Sequence, residues 1–336
     1  MKEDEDDDGE GWGDEDFSDE GQPDDDDDTS WKVRRSAVAI IDAVIRTRPD
    51  RVKDIINQYS DTLIGRIKER IDDVKVEILH TFQGIIKASM EVKENNIDLD
   101  LHAQTSIARE LSMGADLKAK QAVIIRVLSK PMKSKNMKVK VATIDALSTY
   151  ALLVQFKFDE NFNDVWPELQ KTIDDRSSFE PTISSLTVLR RMFRSKRLDE
   201  QAQPTFTNSA AEITEFLKKA IEHEYSKVVF EGLRVASSFL NALRSQATAT
   251  VDPRFQPQVG ILNEIIVQKL GRVNIDTEVK HCCLLTASSL ISTSHPILGQ
   301  QVLDTYFGIF ADRMTNELTR EAALKGLTMI ASNSQQ

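Results

Sequence analysis

Cysteine is scarce in this 336-residue chain: there are two, Cys282 and Cys283, adjacent to each other. Neighbours on a helix point about 100° apart and make poor disulfide partners. With no further thiol, a disulfide framework and a thiolate zinc site are excluded, and a reducing, intracellular compartment (cytoplasm, nucleus or both) is the expected setting. Long apolar runs are also missing. No stretch approaches the roughly 18–20 residues that cross a bilayer, and the N-terminus lacks the basic-then-apolar order of a signal peptide. No membrane partner is expected. Sustained period-two alternation is absent, so no sheet is expected. The motifs of catalysis are sparse as well. His80, His102, His223, His281 and His295 stand at no metal-ligand spacing, and there is neither a glycine-rich phosphate loop nor a G-x-S-x-G. Cys283 reads as a small buried residue rather than a nucleophile. The pairs Asp72-Asp73 and Asp174-Asp175 read as helix-end groups. The sequence therefore gives no catalytic, cofactor-binding or metal-binding residue, and an enzyme is not expected.

Charge is present in quantity but unevenly spread. Residues 1–30 hold 17 acids and one lysine, about −16 net, against −11 for the whole chain. Residues 31–336 have 42 Lys and Arg against 37 Asp and Glu, about +5. Like charges at that density repel, and residues 1–29 offer only Trp12 and Phe17 to bury. That segment is expected to be disordered, a solvated spacer more than a binding tail.

What the chain has in abundance is one helical unit, repeated. Val33-Arg34, Val74-Lys75, Val139-Lys140, Val279-Lys280 and the looser Leu318-Thr319-Arg320 each open a segment, preceded by a residue able to cap a helix: Ser30, Asp72, Asn136, Asp276 and Asn316. Small or apolar residues follow at helical spacing. They are Ala37, Ile41, Val44 and Ile45 in the first copy, and Ile78, Phe82, Ile85 and Ile86 in the second. Later copies give Cys283, Ala287, Leu290 and Ile291, then Ala322, Gly326, Met329 and Ile330. Ser226, Val228, Gly232, Ala236 and Phe239 repeat the unit imperfectly. The openings lie 41 residues apart from Val33 to Val74, 65 from Val74 to Val139 and 39 from Val279 to Leu318. This periodicity predicts an all-α, HEAT-repeat α-solenoid over residues 30–336, a superhelical stack of six to seven antiparallel helix pairs. The valines should face the core, with the adjoining basic residues on the ridge beside a neighbour's acid. The second helix of each pair should form the inner surface. Helices are expected over 30–46, 50–69, 72–90, 105–114, 116–130, 136–154, 164–173, 179–193, 210–222, 226–244, 258–272, 276–293, 296–313 and 316–332. Pro49, Pro167, Pro181 and Pro296 should lie at or before helix starts. Residues 91–104, 199–209 and 245–257 are expected as insertion loops. Helix 316–332 has no obvious polar cap after it, which leads us to expect part of a longer array or a shortened relative of one.

The cluster Asp26-Asp27-Asp28-Thr29-Ser30-Trp31-Lys32-Val33-Arg34-Arg35 resembles the middle of the cullin-associated, neddylation-dissociated (CAND) proteins. So do Thr62 to Lys75 (TLIGRIKERIDDVK), Ile275 to Lys280 (IDTEVK) and Asn316 to Ala331 (NELTREAALKGLTMIA). The resemblance implies a non-catalytic regulator that wraps cullin–RING scaffolds lacking the ubiquitin-like modifier and promotes exchange of substrate receptors. It implies a protein partner, and no residue with a defined chemical role carries over. An importin-β-type transport receptor and a passive scaffold of another complex are the alternative readings of the same repeats.

Two basic clusters are the candidate partner-binding surface. Lys118, Lys120, Arg126, Lys130, Lys133, Lys135, Lys138 and Lys140 occupy a stretch without an acid. Arg190, Arg191 and Arg194 lie near the end of a predicted helix, where cations also offset the helix dipole. Nucleic acid is not the expected partner, because the aromatics lie on apolar stripes and not among these cations. The chain itself is expected to be monomeric.

Overall fold

The computed structural model describes residues 29–94, 117–154, 158–194, 204–245 and 248–333. Among the described residues are thirteen α-helices of nine residues or more and no strand. A single helix, α1 (Ser30–Thr47), is followed by six hairpins. These pair α2 (Val52–Arg66) with α3 (Asp72–Glu94), α4 (Gln121–Ser129) with α5 (Met137–Val154) and α6 (Phe158–Lys171) with α7 (Glu180–Arg194). They continue with α8 (Pro204–Glu222) and α9 (Ser226–Ala242), α10 (Gln256–Gly271) and α11 (Thr277–Leu298), and α12 (Gln300–Thr315) and α13 (Glu317–Asn333).

The helices form two rows. Odd-numbered helices pack along their lengths on the next odd-numbered helix, from α1 on α3 to α11 on α13, whereas even-numbered helices touch their successors more sparsely. The second helices of the pairs thus form the closely spaced row, which is the inner row of any stack that curves. Burial follows from that position. Val74, Val139, Val228 and Val279 are at most 3% exposed because each lies between two inner helices. The expectation fails for Val33 and Leu318, which are 71% and 67% exposed. Among the described residues α1 and α13 each have one inner-row neighbour, so half their circumference faces outward. Ala37 is exposed for the same reason. On α13 it is Thr319 that turns inward, its hydroxyl donating to Arg313 O at 2.9 Å.

Small residues set the approach of the rows. A Cβ on Gly232 would stand 3.0 Å from Ala220 Cβ, and one on Gly326 would stand 2.3 Å from Ser288 Oγ. The buried hydroxyls of α11 donate inside the stack: Thr286 to Cys282 O at 2.8 Å and Leu233 O at 3.1 Å, Ser288 to Leu284 O at 3.0 Å. A polar helix is thus tolerated in the core, since these hydroxyls have partners, Ser292 Oγ being the buried exception.

Several boundaries differ from the sequence expectation. Pro167 starts no helix but lies inside α6, where Trp166 is clamped by Phe162 at 5.3 Å, Phe216 at 5.6 Å and a 2.8 Å hydrogen bond from its indole N–H to Glu212. Packing there outweighs the one backbone bond the proline removes. Pro296 lies inside α11, and the break comes at Gly299, whose φ of 76° suits glycine. Residues 91–94 belong to α3 and 204–209 to α8, where loop was expected. The 245–257 zone closes with an antiparallel bridge between Arg244 and Val251 and gives way to α10 at Gln256. Of the expected caps, Asn136 and Asn316 accept from the N–H groups of Lys138 and Leu318, at 3.0 and 2.9 Å. Ser30 instead receives Arg34 Nη1 at 2.7 Å, Asp72 receives the Lys75 ammonium, and Asp276 makes no side-chain cap bond. The expectations for residues 1–28, 95–116 and 199–203 lie outside the described residues.

Candidate interaction surface

The lysine run is shared among three elements. Lys118 and Lys120 precede α4, Arg126 is on α4, Lys130, Lys133 and Lys135 belong to the α4–α5 turn, and Lys138 and Lys140 to the first turn of α5. Asn136 holds the turn in place: besides capping α5, its Nδ2 donates to Asp72 Oδ2 at 2.8 Å. Lys118, Arg126, Lys130, Lys133, Lys135 and Lys138 are exposed and make no ion pair among the described residues. The other two are engaged. Lys120 pairs with Asp61 of α2, and Lys140 stands 3.7 Å from Asp175 in the α6–α7 turn. Lys133 and Lys140, with Lys171 and Glu168, line an open cleft of about 240 Å³. Lys138 stands in the first turn of α5, where the positive end of the helix dipole disfavours a cation and no acid offsets it.

The arginines behave differently. Arg190 reaches across to α9, its Nε 3.3 Å from Glu231 Oε2; Glu231 also accepts from Arg234 Nη1 at 2.8 Å. Burial lowers the pKa of Arg191, as does the adjacent Arg190, while Asp145 of α5 acts the other way. Both side chains are half-buried. They couple α7 to its inner-row neighbours and do not simply offset a helix end. Arg194 closes α7, and its side chain lies outside the described residues. Sequence reasoning missed Val123, 56% exposed and one turn before Arg126 on α4. The signal was available: Val123 stands off the stripe formed by Ile124, Ile125 and Leu128.

Along the edge formed by the turns, ridge cations tie one repeat to the next. Arg34 Nε meets Glu69 Oε2 at 3.1 Å, and Lys140 meets Asp175. Lys75 binds Asp72 of its own helix, and that carboxylate holds Asn136 of the following turn. The cysteines sit deep in α11. Burial pushes the Cys282 thiol up to about 12, and burial followed by the neighbouring Cys282 pushes Cys283 higher. Both stay protonated at neutral pH, which makes them weak nucleophiles. Among the described residues no His, Cys, Asp and Glu group is arranged to hold a metal ion, and no helix is long and apolar enough to cross a membrane.

No family model matches the chain. It is 27% identical over 306 residues to Cullin-associated NEDD8-dissociated protein 1 of Arabidopsis thaliana, covering 91% of this chain and 24% of that protein. The Drosophila melanogaster protein of the same name is 26% identical over 323 residues, covering 96% and 25%. The resemblance is to the CAND family. It extends to Cullin-associated NEDD8-dissociated protein 2 of Mus musculus, 25% identical over 308 residues, 91% of this chain and 24% of that one. The chain spans about a quarter of the length of the CAND relatives it matches. Among solved structures, yeast importin-β (Kap95p) superimposes with a TM-score of 0.57 at 12% identity over 90% of this chain and 39% of that one. A designed armadillo repeat protein gives 0.53 at 12% identity, over 80% and 98%. At these identities the two structures show the fold alone, an α-hairpin solenoid.

Proposed function

We propose that this chain is a non-catalytic scaffold segment of the CAND kind, which binds cullin–RING ligase cores lacking the NEDD8 modifier and promotes exchange of their substrate receptors in the cytoplasm or nucleus. The observation that carries this reading is a likeness to CAND proteins over 91–96% of the chain. An extended stack offers many shallow contacts in place of one pocket, and affinity then comes from shape and charge complementarity. We assign the contact with an acidic partner surface to Lys118, Arg126, Lys130, Lys133, Lys135 and Lys138, with Val123 as its apolar member. These cations make no ion pair among the described residues, and charge of this kind accelerates encounter more than it deepens affinity. The importin-β reading rests on shared fold alone.

The test is a pull-down by the immobilised monomeric chain from three inputs: an unmodified cullin–RING core, the same core carrying NEDD8, and a GTP-loaded transport GTPase. Retention of the unmodified core in preference to the other two is expected. Retention of the GTPase alone, or of neither cullin form, would overturn the proposal.

A further inference from the structure

The α9 unit lacks a ridge cation on the turn-side edge. Counted from Val228, the repeat position that carries Arg34 and Lys140 elsewhere is occupied by Val229. No long side chain spans from there to the next turn. An open cleft of about 540 Å³ lies instead between the α8–α9 turn and the α10–α11 turn. Val229 and Val279, each 3% exposed, supply its apolar lining. Lys269 enters this lining from α10. It is 5% exposed, and its ammonium has no hydrogen bond or ion pair among the described residues.

The stem of Lys269 is buried while its ammonium opens on the cleft, where no acid among the described residues pairs with it. Its surroundings do not neutralise it. Burial first, then Arg272, lowers the pKa of Lys269; Cys283 and the exposed Glu222 act the other way. His223 is fixed against Phe179 with ring centroids 5.0 Å apart, and its Nδ1 accepts the Tyr225 N–H at 2.9 Å, so its hydrogen is on Nε2. The N-terminus of α11 opens on the same cleft, with no side-chain cap bond from Asp276. Free N–H groups and the helix dipole there favour a negative group.

We propose that this cleft binds a single carboxylate side chain, a glutamate or aspartate presented by a peptide segment of another protein. The carboxylate pairs with Lys269 beside the α11 N-terminus, and its methylene stem lies on Val229 and Val279. Glu222, Glu224 and Asp276 at the rim repel any anion, and a dianion about twice as strongly as a monoanion, which sets a lone carboxylate above phosphate. This site is independent of the lysine surface and does not need the partner to be a cullin.

The experiment is a titration of the full chain with blocked glutamate (N-acetyl, N-methylamide), blocked glutamine and inorganic phosphate, followed by the amide NMR shifts of Tyr225, Arg272 and Thr277. Saturable shifts with glutamate, at least tenfold weaker with glutamine and phosphate, are expected. Lys269→Met should abolish them without lowering the melting temperature, since the lost ammonium had no partner. Val229→Lys, which refills the cleft, should block them with Lys269 intact. Equal shifts with glutamate and glutamine on the unaltered chain would overturn the proposal, whatever the variants do. So would glutamate shifts that persist in folded Lys269→Met.

Discussion

The two basic clusters carry the same charge in neighbouring hairpins, yet the fold uses them differently. Around the α4–α5 turn six exposed cations make no ion pair among the described residues. Near the end of α7, Arg190 and Arg191 are half-buried and face Glu231 and Asp145 of the adjoining inner helices. Arg190 and Arg191 therefore belong to the joints of the stack, whereas the six exposed cations are held by no such partner among the described residues. Both stretches carry cations with no acid among them in the sequence. Only the neighbours differ.

The largest way to break this contrast is to take the acid from the arginines. Glu231→Ala removes the partner of both Arg190 and Arg234 and should cost about 2 kcal/mol, read as a lower denaturation midpoint. Gly232→Ala is the companion variant on the same helix. Its Cβ would crowd Ala220, and a loss of about 1–3 kcal/mol would show that the seating of α9 is steric as well as ionic. The triple reversal Lys133→Glu, Lys135→Glu, Lys138→Glu should instead leave stability within about 0.5 kcal/mol of the parent. The same triple variant should slow association with an acidic partner by about tenfold at low salt, a difference that shrinks as salt screens the charges.

The smallest effect concerns acid stability. Burial alone would raise the pKa of Glu69, but hydrogen bonds from the Ile71 N–H, Arg34 and the Arg70 N–H outweigh it and hold the carboxylate below its ordinary value. The hydroxyl and N–H of Ser177 hold Asp175 down as well. A folded-state pKa below the unfolded one adds stability above about pH 4 that is lost as the pH falls through the folded value. Glu69→Gln should flatten the acid limb of the melting temperature against pH, by no more than about 1 kcal/mol.

The stack was legible because its signal is local. Val74, Val139 and Val279 advertise a helix face through spacing within one helix, and each is buried. What depends on distant chain was not legible. Val33 has the same spacing as Val74 but lacks a second inner neighbour. Pro167 looks like a helix start until Phe162, Phe216 and Glu212 are seen around Trp166. The lysines at 118–140 could be found by charge alone, but Lys120 is claimed by Asp61, 59 residues earlier. Lys269 gave no signal at all, because its burial is set by two turns that meet only in the fold.

The most direct measurement is the rate and affinity with which an unmodified cullin–RING core binds the parent chain, the triple lysine reversal and Glu231→Ala, each checked for an intact helical spectrum. The parent is expected to bind, the triple variant to lose at least tenfold while melting as the parent does, and Glu231→Ala to bind normally below its lowered melting temperature. A parent chain that does not bind the core, or a triple variant that binds as well as the parent, would contradict the assignment of this surface.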